Sequence, residues 1–281
     1  QDMILGAYYL TFTRGEEGTG HIFADKNEAM LAYDAGVVTL HSPIKVRIYK
    51  EIDGEMRHKL VETTVGRLIY NEAIPQDLGF VDRTDPEHMF DPEINFVVGK
   101  KQLGKIIDKC INKHGFTKSA GMLDAIKDLG YHYSTVGSLT VAIADMTVPA
   151  KKYELIAETE KEIIKIDRQY RRGLITNEER YRLSVAAWEK TTADVTVALQ
   201  ENMDRYNPIF MMADSGARGS MAQIRQLAGM RGLMADTAGR TIEIPIKANF
   251  REGLSVLEYF ISSRGARKGM ADTALRTADS G

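Results

Sequence analysis

The stretch that decides the fold is KKYELIAETEKEIIKIDRQYRRGLITNEERYRLSVAAWEKTTADVTVALQENM, residues 151–203. Large apolar residues recur every seven positions in each half of it. They are Ile156, Ile163 and Tyr170 in the first half, and Tyr181, Trp188 and Val195 in the second. A seven-residue apolar repeat is typical of a coiled-coil seam. The stretch therefore predicts two long helices that pack against each other.

The residues between the two halves predict a tight reversal of the chain. Gly173 is placed to end the first helix, and Thr176 followed by Glu179 is a capping-box pattern that starts the second. The turn Arg171 to Ile175 then makes an antiparallel hairpin on the order of 30 Å long, at about 1.5 Å per residue. Such a hairpin has too narrow a seam to enclose a substrate, so we expect it to protrude and to dock partners.

The regions on either side of the hairpin predict an α+β fold that is predominantly helical. Before the hairpin, we predict a β-rich run at Leu5 to Phe12, a strand region at Val37 to Tyr49, a polar turn at Glu51 to Lys59, and helices at Lys26 to Tyr33, Lys100 to His114 and Thr117 to Leu129. After it, we predict a helix at Met221 to Leu227, a strand pair around Gly239 with a strand at Thr241 to Ile246, and a terminal helix from near Glu252.

Composition limits the classes of function. The 37 basic and 39 acidic residues give a net charge of -2, which does not fit a free-standing basic nucleic-acid binder. The lone Cys110 excludes an internal disulfide and a multi-cysteine zinc site; its apolar neighbours predict a buried thiol, and a reducing compartment fits. No apolar run approaches the roughly 18 to 20 residues of a membrane span. Because position 1 is not Met and a helical pattern still runs at Gly281, we expect an internal segment of a longer protein.

Arg218 is the strongest candidate for ligand chemistry. It lies in Gly216-Ala217-Arg218-Gly219-Ser220, just before a predicted helix. A loop of small residues entering a helix leaves N–H groups that can point at an anion, and a guanidinium can hold two phosphate oxygens. This pattern suits a triphosphate or a pyrophosphate; the alternative is a solvated arginine, or one paired with Asp214. Arg225 is either a second anion contact or the partner of a carboxylate.

The last part of the chain is locally basic. Between Ala213 and Gly281 there are ten basic and seven acidic residues, a net charge of +3. Arg264, Arg267 and Lys268 cluster within five positions and are candidates for contacts with a phosphate backbone, or else form a solvated helix face. Gly265 and Gly269 suggest a bend or a close approach in the helix, unless they are simply tolerated.

Catalytic metal chemistry has no signature in the sequence. The six histidines are scattered, and the acidic cluster Asp82, Asp85, Glu87, Asp91 and Glu93 contains prolines and predicts a solvated loop. No Ser–His–Asp or Cys–His set can be argued. We therefore name no catalytic residue, no metal ligand and no cofactor of this chain.

Residues 207–234, NPIFMMADSGARGSMAQIRQLAGMRGLM, resemble the active-centre loop of the bacterial DNA-directed RNA polymerase β′ subunit. Similar matches to this family occur along almost the whole chain. They are Gln1 to Thr11, Glu62 to Arg67, Tyr170 to Tyr181, and Asn249 to Gly281.

The resemblance implies four regions and a role for each. Residues 1–148 would be a pore-like mixed α/β region, 149–205 the funnel hairpin at the rim of the secondary channel, 206–240 the active-centre loop and helix, and 241–281 a strand and the first half of the bridge helix. Arg218 and Arg225 would contact nucleotide phosphates. Arg264, Arg267, Lys268, Thr277 and Ala278 would lie near nucleic acid. Arg171, Arg172 and Leu174 would dock regulatory factors.

The resemblance also implies the process, DNA-templated RNA synthesis. In this family two Mg²⁺ ions are held by an Asp-x-Asp-x-Asp motif that this sequence lacks and that belongs upstream of Gln1, so we expect the isolated chain to be inactive. The implied partners are the β, α, ω and σ subunits, the DNA template and RNA hybrid, nucleoside triphosphates and secondary-channel factors, in the cytoplasm at the nucleoid and without a membrane. Two alternatives remain: a stand-alone helical-hairpin docking module and a small independent nucleotide-binding enzyme.

Overall fold

The computed structural model describes residues 1–52, 54–236 and 238–280. The helices are α1 (Asp2–Thr11), α2 (Lys26–Asp34), α3 (Val65–Glu72), α4 (Lys100–Gly137), α5 (Lys151–Arg171), α6 (Asn177–Asn202), α7 (Pro208–Asp214), α8 (Met221–Ala228) and α9 (Val256–Ser280). The strands are β1 (Ile22–Phe23), β2 (Ile44–Ile52) and β3 (Glu55–Thr63). The predicted class, α+β and predominantly helical, is confirmed.

The chain forms two compact units. The first contains residues 1–140 and 211–218, and the second contains residues 141–210 and 219–281. The four-region division made from the sequence stays a prediction.

In the first unit, helix α1 corrects the β-rich run predicted for Leu5 to Phe12. This segment is helical because it packs closely against α4: a Cβ added at Gly6 would lie 1.8 Å from the carbonyl oxygen of Gly130. Ala7 and Leu10 are buried in the same core. Tertiary packing overrides a local preference for strand when it buries a whole face of a segment.

The three strands form one sheet in the order β1-β2-β3. Strand β1 pairs in parallel with β2 over two residues, and β2 pairs antiparallel with β3 over nine, from Ile44↔Thr63 to Ile52↔Glu55. The polar turn predicted for Glu51 to Lys59 is therefore wrong for Glu51 and Ile52, which lie in β2, and for Glu55 to Lys59, which lie in β3. Asp53 lies outside the described residues. The first half of β3, which follows the turn, is largely exposed, and its polar sequence therefore has no alternating apolar pattern that would predict a strand.

Helix α4 confirms the two helices predicted on either side of Gly115. That glycine has φ +73° and interrupts the helical backbone, and the second half continues to Gly137. Cys110 is fully buried, as predicted.

The antiparallel hairpin is confirmed in the second unit as α5 and α6. Gly173 has φ +75° in the turn, and the Thr176 hydroxyl accepts a hydrogen bond from the Glu179 N–H at 3.2 Å. Burial along the seam is uneven, since Val195 is buried and Tyr170, next to the turn, is 42% exposed.

The segment that follows α8 departs from the predicted strand at Thr241 to Ile246. Among its described residues two isolated bridges form, Gly232↔Ile246 and Ala235↔Thr241. The segment instead lies along the hairpin, where the Arg180 guanidinium donates to both oxygens of Glu243 at 2.7 and 2.9 Å. Side-chain contacts with α6 therefore take the place of a strand ladder.

Candidate functional site

The loop that carries Arg218 is fixed by the first unit. The backbone N–H of Lys100, the first residue of α4, donates to the Ser215 carbonyl at 2.8 Å, and the Arg218 N–H donates to the Met212 carbonyl at 3.1 Å. Gly216 has φ +74°, a left-handed conformation that glycine adopts without strain. The backbone of the loop is thus defined up to Arg218.

The side chain of Arg218 is exposed. Among the described residues Arg218 forms no ion pair with Asp214, whose carboxylate instead accepts a hydrogen bond from the Tyr8 hydroxyl at 2.8 Å. An exposed guanidinium on an ordered loop remains available for an anionic ligand.

Helix α8 begins with a capping box that was not predicted from the sequence. The Ser220 N–H donates to the Gln223 side chain at 3.0 Å, and the Gln223 N–H donates to the Ser220 hydroxyl at 3.4 Å. Two N–H groups that were expected to face an anion are therefore used within the chain. The capping box does not use the backbone N–H groups of Met221 and Ala222.

Arg225 lies on α8, in the second unit, whereas Arg218 belongs to the first. It is half-buried, and its buried Nε has no hydrogen-bond partner within the described ranges. The carboxylate pair expected as an alternative is not formed there. Arg231 is similar, with an unpartnered buried Nε, a guanidinium 4.8 Å from the centre of the Phe250 ring and a pKa lowered by burial.

Helix α9 brings the predicted basic cluster onto one face, because positions three and four apart are neighbours on a helix. Arg264 and Arg267 are exposed, and Lys268 is half-buried. Of the two glycines, Gly265 makes the close approach: a Cβ there would lie 3.3 Å from the Ala235 carbonyl oxygen, whereas Gly269 has open space.

The far end of α9 carries the remaining predicted nucleic-acid residues. The Thr277 hydroxyl donates to the Thr273 carbonyl at 2.8 Å, and Ala278 is exposed. Their role stays a prediction.

The hairpin tip exposes all three residues proposed for docking. Arg171 and Arg172 are exposed, and Leu174 is 69% exposed. The docking role of these three residues stays a prediction.

The acidic loop departs in part from the solvated loop that was predicted. Glu93 is buried, accepts a hydrogen bond from the Phe80 N–H at 2.7 Å and pairs with Arg83 at 3.2 Å.

Across residues 1–52, 54–236 and 238–280, no group of three or more His, Cys, Asp or Glu side chains is arranged to hold a metal ion. Among the described helices, none is both long and apolar enough to cross a bilayer.

Comparison with known proteins gives consistent matches along the chain. Family models described as RNA polymerase Rpb1, domains 3, 4 and 5, match residues 1–146, 175–251 and 253–281. Relatives described as "DNA-directed RNA polymerase subunit beta'" are 60% identical in Acetivibrio thermocellus, 59% in Clostridium novyi and 60% in Clostridium acetobutylicum. Each match covers 100% of this chain and 24% of the relative, so the chain spans about a quarter of their length.

Proposed function

The chain belongs to the family of DNA-directed RNA polymerase β′ subunits, of which it is a segment, and we propose on that premise that it supports DNA-templated RNA synthesis inside a complete polymerase. The observation that carries this proposal is the exposed Arg218 on a loop fixed by α1 and α4. Because family models match nearly the whole chain, a stand-alone docking module is not favoured.

Arg218 would hold phosphate oxygens of the incoming nucleoside triphosphate, and Arg225 stays a separate candidate for a phosphate contact. A charge-assisted hydrogen bond from a planar guanidinium orients a phosphate as well as attracting it. In the complete enzyme two Mg²⁺ ions would supply activation of the attacking hydroxyl and stabilisation of the leaving pyrophosphate. The role of this chain would be to position the nucleotide.

The other two surfaces would serve nucleic acid and regulators. Arg264, Arg267 and Lys268, with Thr277 and Ala278 farther along α9, would lie beside the template and the RNA hybrid. Arg171, Arg172 and Leu174 would dock secondary-channel factors. The assembled partners would be the β, α, ω and σ subunits, in the cytoplasm at the nucleoid.

A segment exchange tests the proposal. The corresponding quarter of the Acetivibrio thermocellus subunit is replaced by this chain, and RNA synthesis on a DNA template is measured after assembly. At 60% identity we expect the exchanged enzyme to assemble and to synthesise RNA. An enzyme that assembles and binds DNA but makes no RNA would contradict the proposal.

Changing Arg171 and Arg172 together to Ala is expected to weaken binding of a secondary-channel factor by up to about tenfold, because each exposed ion pair with the factor would contribute at most about 1 kcal/mol. Stability should shift by less than about 0.5 kcal/mol. The matched control is Lys161→Ala with Lys165→Ala, two exposed cations lower on α5. Factor affinity is measured by titration and stability by melting. Unchanged affinity with a sharply lower melting temperature would make the tip structural.

A further inference from the structure

The short turn before α9 is held by reciprocal hydrogen bonds. The Asn249 side-chain oxygen accepts from the Glu252 N–H at 2.9 Å, and the Glu252 carboxylate accepts from the Asn249 N–H at 3.4 Å. This is the arrangement of a capping box, formed here around a single turn rather than a helix. Asn249 is fully buried.

This turn caps the C-terminal end of α8. The Asn249 amide donates to the Gly229 carbonyl at 2.9 Å, while the backbone N–H groups of Phe250 and Arg251 donate to the carbonyls of Gln226 and Leu227 at 3.0 and 3.1 Å. The last carbonyls of a helix have no partner inside it, so these bonds fix where α8 ends relative to the turn.

The same turn is anchored to the base of the hairpin. The Lys152 ammonium donates to Glu252 at 2.5 Å, and the Tyr153 hydroxyl donates to the other carboxylate oxygen at 2.7 Å. The Lys152 side chain is only 2% exposed. Burial acts to raise the pKa of Glu252, but the hydrogen bonds from Lys152 and Tyr153 outweigh it and the pKa is lowered.

A third connection reaches the first turn of α9. The Glu258 carboxylate accepts from the Ala248 N–H at 3.3 Å and from the Ser255 N–H at 3.0 Å. The hairpin base, the end of α8 and the start of α9 therefore meet at residues 248–258.

We propose that Asn249 and Glu252 are positioning residues, anchored by Lys152, that hold α8 and α9 in place on the hairpin base. This inference rests on the proposed function, because it matters for catalysis only if α8 and α9 lie beside nucleotide and nucleic acid. Removing one partner of a buried ion pair leaves an uncompensated charge. A displacement of about 1 Å in positioning elements can slow a reaction by as much as about a hundredfold.

This junction was not predicted from the sequence. Lys152 and Glu252 are 100 positions apart, and nothing in their local patterns joins them. The pattern Asn249-x-x-Glu252 was visible, but it precedes a glycine rather than an apolar helical run.

The test uses assembled polymerase carrying Lys152→Met, Glu252→Ala or both, with RNA synthesis measured at saturating nucleotide. Each single change is expected to slow addition about tenfold or more, and the double change no further than the slower single one, because all three break the same contact. Glu252→Gln keeps an acceptor and should recover part of the rate. The apparent KM for nucleotide should change less than the rate.

The control is the exposed pair Lys247–Glu160, which joins the segment just before the turn to α5 at 2.5 Å, with both side chains more than 40% exposed. Lys247→Met and Glu160→Ala are expected to leave addition unchanged. Equal losses in the control pair, normal addition in every junction variant, or a loss that only follows the amount of assembled enzyme would overturn the proposal.

Two comparisons distinguish a failure to assemble, a failure of the positioning inference and a failure of the proposed function. If Glu252→Ala fails to assemble, Glu252→Gln decides: slower addition in assembled enzyme supports the junction, and normal addition overturns it. If the enzyme with the unmodified chain assembles but makes no RNA, the proposed function fails, and the positioning inference that rests on it falls as well.

Discussion

Gly6→Ala is expected to destabilise the first unit by about 3 kcal/mol or more, near the upper end for overpacked cores. The added Cβ would lie 1.8 Å from the carbonyl oxygen of Gly130, and that oxygen belongs to the backbone of α4. No side-chain rotation can relieve such an overlap, so α1 and α4 must separate. Gly66→Ala should behave similarly, since its Cβ would lie 1.9 Å from the Leu10 carbonyl oxygen.

Gly104→Ala is the matched control for this prediction. Gly104 is also helical and in the first unit, but a Cβ there meets no atom within 4 Å. Alanine in an unhindered helical position is more favourable than glycine by up to about 1 kcal/mol. The measurement is urea unfolding of the 281-residue chain, followed by circular dichroism. Gly6→Ala should lower the urea concentration at the midpoint of unfolding, and Gly104→Ala should raise it slightly. Equal midpoints for the two variants would contradict the close approach of α1 and α4.

The hairpin and the division of α4 could be predicted because their signals are local. A heptad repeat, a glycine with positive φ at Gly173 and a threonine cap at Thr176 each act within a few residues. Helix α1 could not be predicted in the same way, because its conformation follows from a contact with Gly130, far along the chain. Strand β3 was missed because pairing with β2 requires no apolar pattern where both faces are exposed.

In the candidate site, too, local features could be predicted from the sequence and contacts between distant residues could not. The loop of Arg218 was visible from its glycines and from the helix that follows it. The partner of Asp214 was not, since Tyr8 lies 206 positions away. The carboxylate that the sequence offered as one alternative partner of Arg225 is not found among the described residues, and its buried Nε has no hydrogen bond there.

Arg218→Ala in the assembled polymerase is expected to raise the apparent KM for nucleotides or slow their addition. A hydrogen bond to a charged phosphate contributes about 1.5 to 3 kcal/mol, which corresponds to about a ten- to hundredfold loss. Arg218→Lys should recover only part of this loss, because an ammonium keeps the charge but not the planar pair of donors. Arg205→Ala, which removes another exposed arginine, should leave nucleotide addition unchanged.

The central claim is that Arg218 serves the nucleotide and not the fold or the DNA. Two measurements on one preparation of the Arg218→Ala enzyme test it most directly. Nucleotide addition and promoter DNA binding are measured side by side, each relative to the unmodified enzyme. The account predicts that addition falls about ten- to hundredfold while promoter binding stays within about twofold. Normal addition, or an equal fall in both with loss of assembly, would contradict it.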